Sequence, residues 1–201
     1  MHGDWSTLST VAIGVCWGLV ALVWVIGAVY NALRAPAVRR RSTPTIGWLV
    51  GIVAAWVIFR GVPDADWRSL TVQSVSLRAV GVAILLPFTA FTLWARVVLG
   101  TMWTSYAAAK DAHVLHTDGP YAITRHPIYT GILGMLLGTA LANGLGLWVP
   151  AFLLGVMAAE IKIRAEERLL TKVFPESYER YRRQVPQLVP GLRGLGGLRR
   201  R

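Results

Sequence analysis

Cysteine, lysine and acidic residues are all scarce in this sequence. Cys16 is the only cysteine among 201 residues, which excludes an intramolecular disulfide and any cysteine-built metal cluster. Its position inside an apolar run makes it a small packing residue. Asp and Glu total 10 against 21 Lys and Arg, and charged residues make up only 15% of the chain. Ordinary soluble domains carry about 25%, so this chain lacks the polar cover of a soluble globule. The first apolar run is preceded by "MHGDWST", which has Asp4 and no Lys or Arg. A signal peptide opens on positive charge, so the run reads as a retained span. No H-E-x-x-H motif occurs, and although His113 and His116 have H-x-x-H spacing, no metal site is expected.

What is present is apolar sequence, 54% hydrophobic with a mean hydropathy of +0.49, gathered into long runs. That pattern is an all-α integral membrane protein. Leu8 to Leu33 is long enough to cross with tilt. A second run, Ile46 to Phe59, is short; a third, Ala79 to Ala95, contains Pro87 as an expected kink. Ile128 to Ile163 is broken by "NGLG" at 143–146, a turn signal that divides it into a hairpin of two helices of roughly 15 residues each. The count is about five transmembrane helices, the fourth and fifth forming the hairpin.

The net charge of +11 lies mostly between or after the apolar runs. Its expected partner is the anionic cytoplasmic leaflet of the bilayer, not nucleic acid, whose binders spread charge over a water-soluble face. Arg34, Arg39, Arg40 and Arg41 place the first connection in the cytoplasm, and the basic C-terminal tail agrees with it. The N-terminus is therefore expected outside and the C-terminus inside. Arg-rich, Ala- and Gly-rich composition points to a bacterial plasma membrane. No internal repeat suggests a pseudo-symmetric carrier.

The polar segments then share the cytoplasmic face. In "DGPYAITRHPIYTGILG", Asp118-Gly119-Pro120 is a turn, and Pro127 suits the first position of a helix with His126 at its N-cap. Arg125, His126 and Tyr129 fall within about one turn, either as headgroup anchors with an aromatic belt residue or as one wall of a site. Gly131, Gly134 and Gly138 follow on the same helix, Gly134 and Gly138 as a small-xxx-small pair, and suit close helix packing or, alternatively, backbone approach to a ligand. Glu160 needs a partner at membrane depth, and Arg164 stands at i+4. Glu166 and Glu167 diverge by about 100° on a helix, so either one can face a site while the other pairs with a base such as Lys162 or Arg164, or "EER" is a solvated charged face. Tyr178, Tyr181 and Val185, with Arg180, Arg182 and Arg183 between them, spell a basic amphipathic helix on the cytoplasmic surface.

Taken in order, "LGTMWTSY", "GPYAITRHPIYTG", a short hairpin, "EERLL", "FPESYERY" and a closing "VP" resemble the isoprenylcysteine carboxyl methyltransferases and related phospholipid methyltransferases, over roughly residues 97 to 190. The resemblance implies a membrane enzyme that uses S-adenosylmethionine to methylate the carboxylate, amine or thiol of a lipophilic, isoprenoid-like or lipid substrate arriving from the bilayer. It implies cofactor contacts from His126, Tyr129, Glu166 and Glu167, with His116 and Tyr121 as further contacts. Arg125 and Glu167 are the candidates for a catalytic role, and Arg125, Pro127 and Gly131 match the family's framework. It also divides the chain into a three-span region at 1–96, a cofactor-binding core at 97–190 and a basic tail at 191–201. Two departures stand out: Pro175 where the family often has Gly, and fewer N-terminal spans than the eukaryotic prenylcysteine enzymes. Alternative readings are a sterol-reductase-like enzyme using a reduced nicotinamide cofactor, whose relatives have more spans, and a non-enzymatic lipid-binding adaptor. No glycine fingerprint of a soluble dinucleotide-binding fold follows a predicted strand.

Overall fold

The structure, a computed structural model, describes residues 2–34, 38–41, 71–72, 74–100, 108–110 and 115–189. Helix α1, His2–Arg34, is apolar almost throughout. It buries only a narrow row, including Cys16 and Val20, and leaves Leu8, Val15, Leu22, Val25 and Val29 on the outside. Such an all-round apolar helix suits a lipid solvent. A short strand β1, Val38–Arg41, follows it.

Helix α2, Val75–Leu99, starts where the Ser74 hydroxyl accepts from the Leu77 N–H, and stops at Gly100 in a left-handed conformation. Pro87 lies inside the helix, which continues past it for another three turns. Strand β2, Ala108–Lys110, pairs antiparallel with β1. These two short strands are an addition to the expected all-helical architecture. A four-residue helix α3, Pro120–Ile123, leads to α4, Pro127–Ala142. Helices α5, Trp148–Val173, and α6, Pro175–Gln184, complete the described chain.

Helices α2 and α4 form the most extensive contact among the described elements, and at Gly138 backbone meets backbone. A Cβ at Gly138 would lie 2.7 Å from the Gly81 carbonyl oxygen and 2.8 Å from the Leu85 nitrogen. Gly134 lies against the Phe88 ring and Gly131 against the Thr92 hydroxyl. The glycines of α4 therefore serve packing, as their spacing predicts. Helix α1 joins this pair through a core of Cys16, Val20, Leu85 and Met135, and through Trp17 Nε1, which donates to Thr139 Oγ1 at 3.1 Å. The buried Arg96 guanidinium lies 5.9 Å above the Trp24 ring and donates to the Gly100 carbonyl.

These contacts fix direction. Gly81 meets Ala142 while Thr92 meets Gly131, so α2 and α4 are antiparallel. Trp17 meets α4 near its C-terminus and Trp24 meets Arg96, so α1 runs parallel to α2. Thr71 bridges Leu145 in the α4–α5 turn, which puts the start of α2 at the end opposite Arg34. The second expected span, Ile46 to Phe59, lies outside the described residues.

Trp5–Arg34 and Val75–Leu99 are long and apolar enough to cross a membrane, and Pro127–Ala142 is a shorter apolar helix. The "NGLG" turn is as expected: Gly144, Leu145 and Gly146 all have positive φ. The two arms are unequal, however. Helix α4 has 16 residues but α5 has 26, because no breaker stops α5 at the apolar boundary near Ile163. At 1.5 Å per residue α5 is about 39 Å long, beyond a hydrocarbon core of about 30 Å. Its last turns project past the apolar part of the bundle and carry Glu166 and Glu167.

Candidate active site

Residues 124–126 lead from α3 into α4, Thr124 in extended conformation, and their backbone N–H groups are all paired. The Arg125 N–H donates to the Pro186 carbonyl at 2.9 Å and the His126 N–H to the Gln187 carbonyl at 3.2 Å. One turn on, the Thr130 hydroxyl donates to the Leu188 carbonyl at 2.7 Å. The strap that follows α6, residues 185–189, thus lies along the start of α4. Its side chain Gln187 donates to Glu160 Oε2 at 3.1 Å, and Arg164 donates to Glu160 Oε1 at 2.7 Å. The i, i+4 partnership read from the sequence is present, with a further partner that local spacing cannot reveal.

Helix α4 begins as predicted, with His126 at the N-cap and Pro127 first. The Arg125 side chain turns toward α5 and α6. Its Nε and Nη2 donate to Glu167 Oε1 at 3.0 and 2.8 Å. Its Nη1 donates to the carbonyls of Arg182 and Val185 at 3.0 and 2.8 Å, closing carbonyls that the end of α6 would leave open. Arg125 is thereby a clamp between three segments.

His126 lies between the two carboxylates. Its Nε2 is 3.2 Å from Glu167 Oε1 and its Nδ1 is 3.6 Å from Glu166 Oε2. Both of the adjacent glutamates therefore reach His126. The 100° divergence is real, but an imidazole with a nitrogen on each edge fits inside it, and Glu167 pairs with Arg125 instead of Lys162 or Arg164. Tyr129 completes the group: its hydroxyl donates to Glu166 Oε1 at 2.6 Å. It is a member of this cluster and not a belt residue facing lipid.

Charge follows geometry. Burial lowers the His126 pKa, but the hydrogen bonds and charges of Glu166 and Glu167 outweigh it and hold the pKa above its ordinary value. Burial raises Glu167, but the His126 hydrogen bond and the Arg125 guanidinium outweigh it and hold the carboxyl down at about 2. Glu167 is the more enclosed carboxylate, 18% exposed against 29% for Glu166.

His116 and Tyr121 stand at the edge. Their ring centroids are 6.2 Å apart. Tyr121 is buried, and its hydroxyl is pushed up by burial and then by the Glu166 charge, so it lies in the field of the cluster. Its carbonyl accepts from the Tyr181 hydroxyl at 2.6 Å. Tyr178 and Tyr181 are both buried, so the tyrosine face of α6 is turned onto the protein. His113 lies outside the described residues. Among the described residues no group of three His, Cys, Asp or Glu side chains gathers in metal-holding geometry. Thr130, Gln187 and the pairing of residues 185–189 with the start of α4 were not singled out from the sequence.

Comparison with known proteins matches residues 77–177 to the phospholipid methyltransferase family. The protein-S-isoprenylcysteine O-methyltransferase of Schizosaccharomyces pombe is 37% identical over 101 residues, 48% of this chain and 42% of that protein. The cobalt-zinc-cadmium resistance protein CzcN of Cupriavidus metallidurans is 33% identical over 96 residues, 47% of this chain and 44% of the relative. This chain thus spans less than half the length of either relative. Among solved structures, the eukaryotic intramembrane Ras methyltransferase ICMT superimposes with a TM-score of 0.56 at 25% identity, over 76% of this chain and 55% of that one.

Proposed function

Because the chain belongs to the phospholipid methyltransferase family, we propose that it is an S-adenosylmethionine-dependent integral membrane methyltransferase. Its substrate is a lipophilic carboxylate, amine or thiol arriving from the bilayer. The observation that carries this reading is the cluster of Arg125, His126, Tyr129, Glu166 and Glu167, assembled where α4 begins and α5 leaves its apolar part. A polar cluster at that level meets a cytosolic cofactor on one side and a membrane-dissolved substrate on the other. The proposed topology has five spans, the N-terminus outside and the cluster on the cytoplasmic side of a bacterial plasma membrane. The parallel directions of α1 and α2 support the odd count. The core is assigned to residues 97–190, supported by the spans of 1–96 and followed by a basic tail at 191–201.

The donor set fits the cofactor. S-adenosylmethionine supplies an electrophilic methyl group on a sulfonium, beside an amino-acid head and a ribose with two hydroxyls. Glu166, the more open carboxylate, is suited to accept from an ammonium or a ribose hydroxyl, with Tyr129 fixing its orientation. Glu167 and Arg125 are committed to each other, to His126 and to the end of α6, so their role is to hold the wall of the site in place. His116 and Tyr121 border the same space. Holding donor and acceptor in line is the largest contribution such a site can make to methyl transfer.

The test is incubation of the purified protein in lipid nanodiscs with methyl-labelled S-adenosylmethionine and a host lipid extract. A labelled, lipid-soluble product is expected, and its identification assigns the substrate. A folded protein that yields no such product and binds a reduced nicotinamide cofactor instead would overturn the reading.

A further inference from the structure

The outward face of α5 changes chemistry along one line. Leu153, Met157 and Ile161 are each more than half exposed, as lipid-facing residues of a span would be. The row continues through Arg164, Arg168 and Lys172, all exposed. At 100° per residue these three fall within about 60° of Ile161, and Ile163 and Leu170 point the opposite way, toward the bundle. No Asp or Glu stands in the row. Arg164 is tied to Glu160, which leaves Arg168 and Lys172 as its uncompensated charges among the described ion pairs. The basic residues begin about 4.5 Å beyond Ile161 along the axis, where a span whose apolar face ends at Ile161 would meet the headgroups.

We propose that Arg168 and Lys172, continuing the lipid-facing row of α5, bind the phosphate groups of anionic phospholipids and seat the projecting part of α5 on the leaflet. This rests on the membrane placement of α5 but not on methyl transfer. A row that faced bulk cytosol would have no reason to continue the apolar face in register. Long basic side chains at this level bend back to the headgroups and gain from the negative surface potential. The occupant is the lipid surface itself, because the row prolongs a surface that lipid already covers.

The test uses the full chain in phosphatidylcholine vesicles, with spin-labelled phosphatidylglycerol or phosphatidylcholine as probe and the motionally restricted fraction as readout. Wild type is expected to prefer phosphatidylglycerol by about threefold or more, with the preference falling as salt is raised. Arg168→Gln with Lys172→Gln is expected to remove at least about half of that preference, and Arg168→Glu with Lys172→Glu to remove more. An unfolded variant is recognised by its melting profile, and the wild-type salt dependence then remains as a second reading. Equal preference in wild type and both double variants overturns the proposal, as does the absence of any preference in wild type. The readout needs no substrate, so its failure is distinct from failure of the methyltransferase reading.

Discussion

Helix α4 meets its two neighbours in opposite ways. Against α2 it offers Gly131 to the Thr92 side chain, Gly134 to the Phe88 ring and Gly138 to the backbone of Gly81 and Leu85, so close that a Cβ at any of them would collide. Against α5, at its N-terminus, it offers Arg125, His126 and Tyr129 to a pair of carboxylates. In lipid the first contact gains from dispersion and shape alone, because hydrocarbon is no worse a solvent for leucine than another helix. The second gains from charge and hydrogen bonding in a partly enclosed space, where pairing is strong and a lost partner is costly. One region is rigid by sterics and tolerates no enlargement; the other is held by partners and is sensitive to any change of charge.

Substitutions break the two contacts by different routes. The largest effect is expected at Gly138→Leu, which drives a side chain into the Gly81 carbonyl and the Leu85 backbone. Thermal unfolding in detergent should show a loss of about 3 kcal/mol or more, or no folded protein. A well-folded Gly138→Leu protein would contradict the close contact. Next is Glu167→Gln, which leaves Arg125 and His126 facing a neutral amide. A loss of about 2–3 kcal/mol is expected, with Glu166→Gln costing under about 1 kcal/mol because its carboxylate is more exposed. Equal losses at the two positions would dissolve the distinction drawn between them.

The polar contact also has a pH signature that the glycine contact lacks. Glu167, held down at about 2, contributes stability that is complete above the ordinary value of 4.5 and is lost as pH falls through about 2. His126, held above its ordinary 6.5, contributes stability that is complete below 6.5 and is lost as pH rises through its raised value. The gap in melting temperature between wild type and Glu167→Gln should therefore be widest between pH 4.5 and 6.5 and narrow at higher pH. A gap that widens toward pH 9 would reverse the assignment. The smallest expected effect is Tyr181→Phe, which removes the bond to the Tyr121 carbonyl and should cost about 1 kcal/mol in the same melting assay.

How much of this was legible in the sequence differs between the same two regions. The glycine row, the His126-Pro127 helix start, the "NGLG" turn and the Glu160–Arg164 pair all obey local rules, and each is present. Spacing along one helix shows which residues share a face. It does not show what lies between two faces, so the imidazole that joins Glu166 to Glu167 was invisible. The pairing of residues 185–189 with α4 is not legible in sequence because its bonds are made by carbonyls, which every sequence possesses. Helix α5 is longer than the roughly 15 residues its hydropathy predicts, because hydropathy marks where lipid ends, not where a helix ends. The strand "VRRR" read as a charged loop, since only its distant partner at Ala108–Lys110 makes it a strand.

The central claim is that the polar end of α4 and α5 is a cofactor site in which Glu166 receives the ligand and Glu167 holds the wall. Isothermal titration of S-adenosylhomocysteine into detergent-purified wild type, Glu166→Gln and Glu167→Gln at pH 7 tests it most directly. Saturable binding by wild type is expected, with a loss of at least about tenfold in the folded Glu166→Gln protein, the size of one charge-assisted hydrogen bond. No saturable binding by folded wild type, or full affinity in Glu166→Gln, would contradict the account.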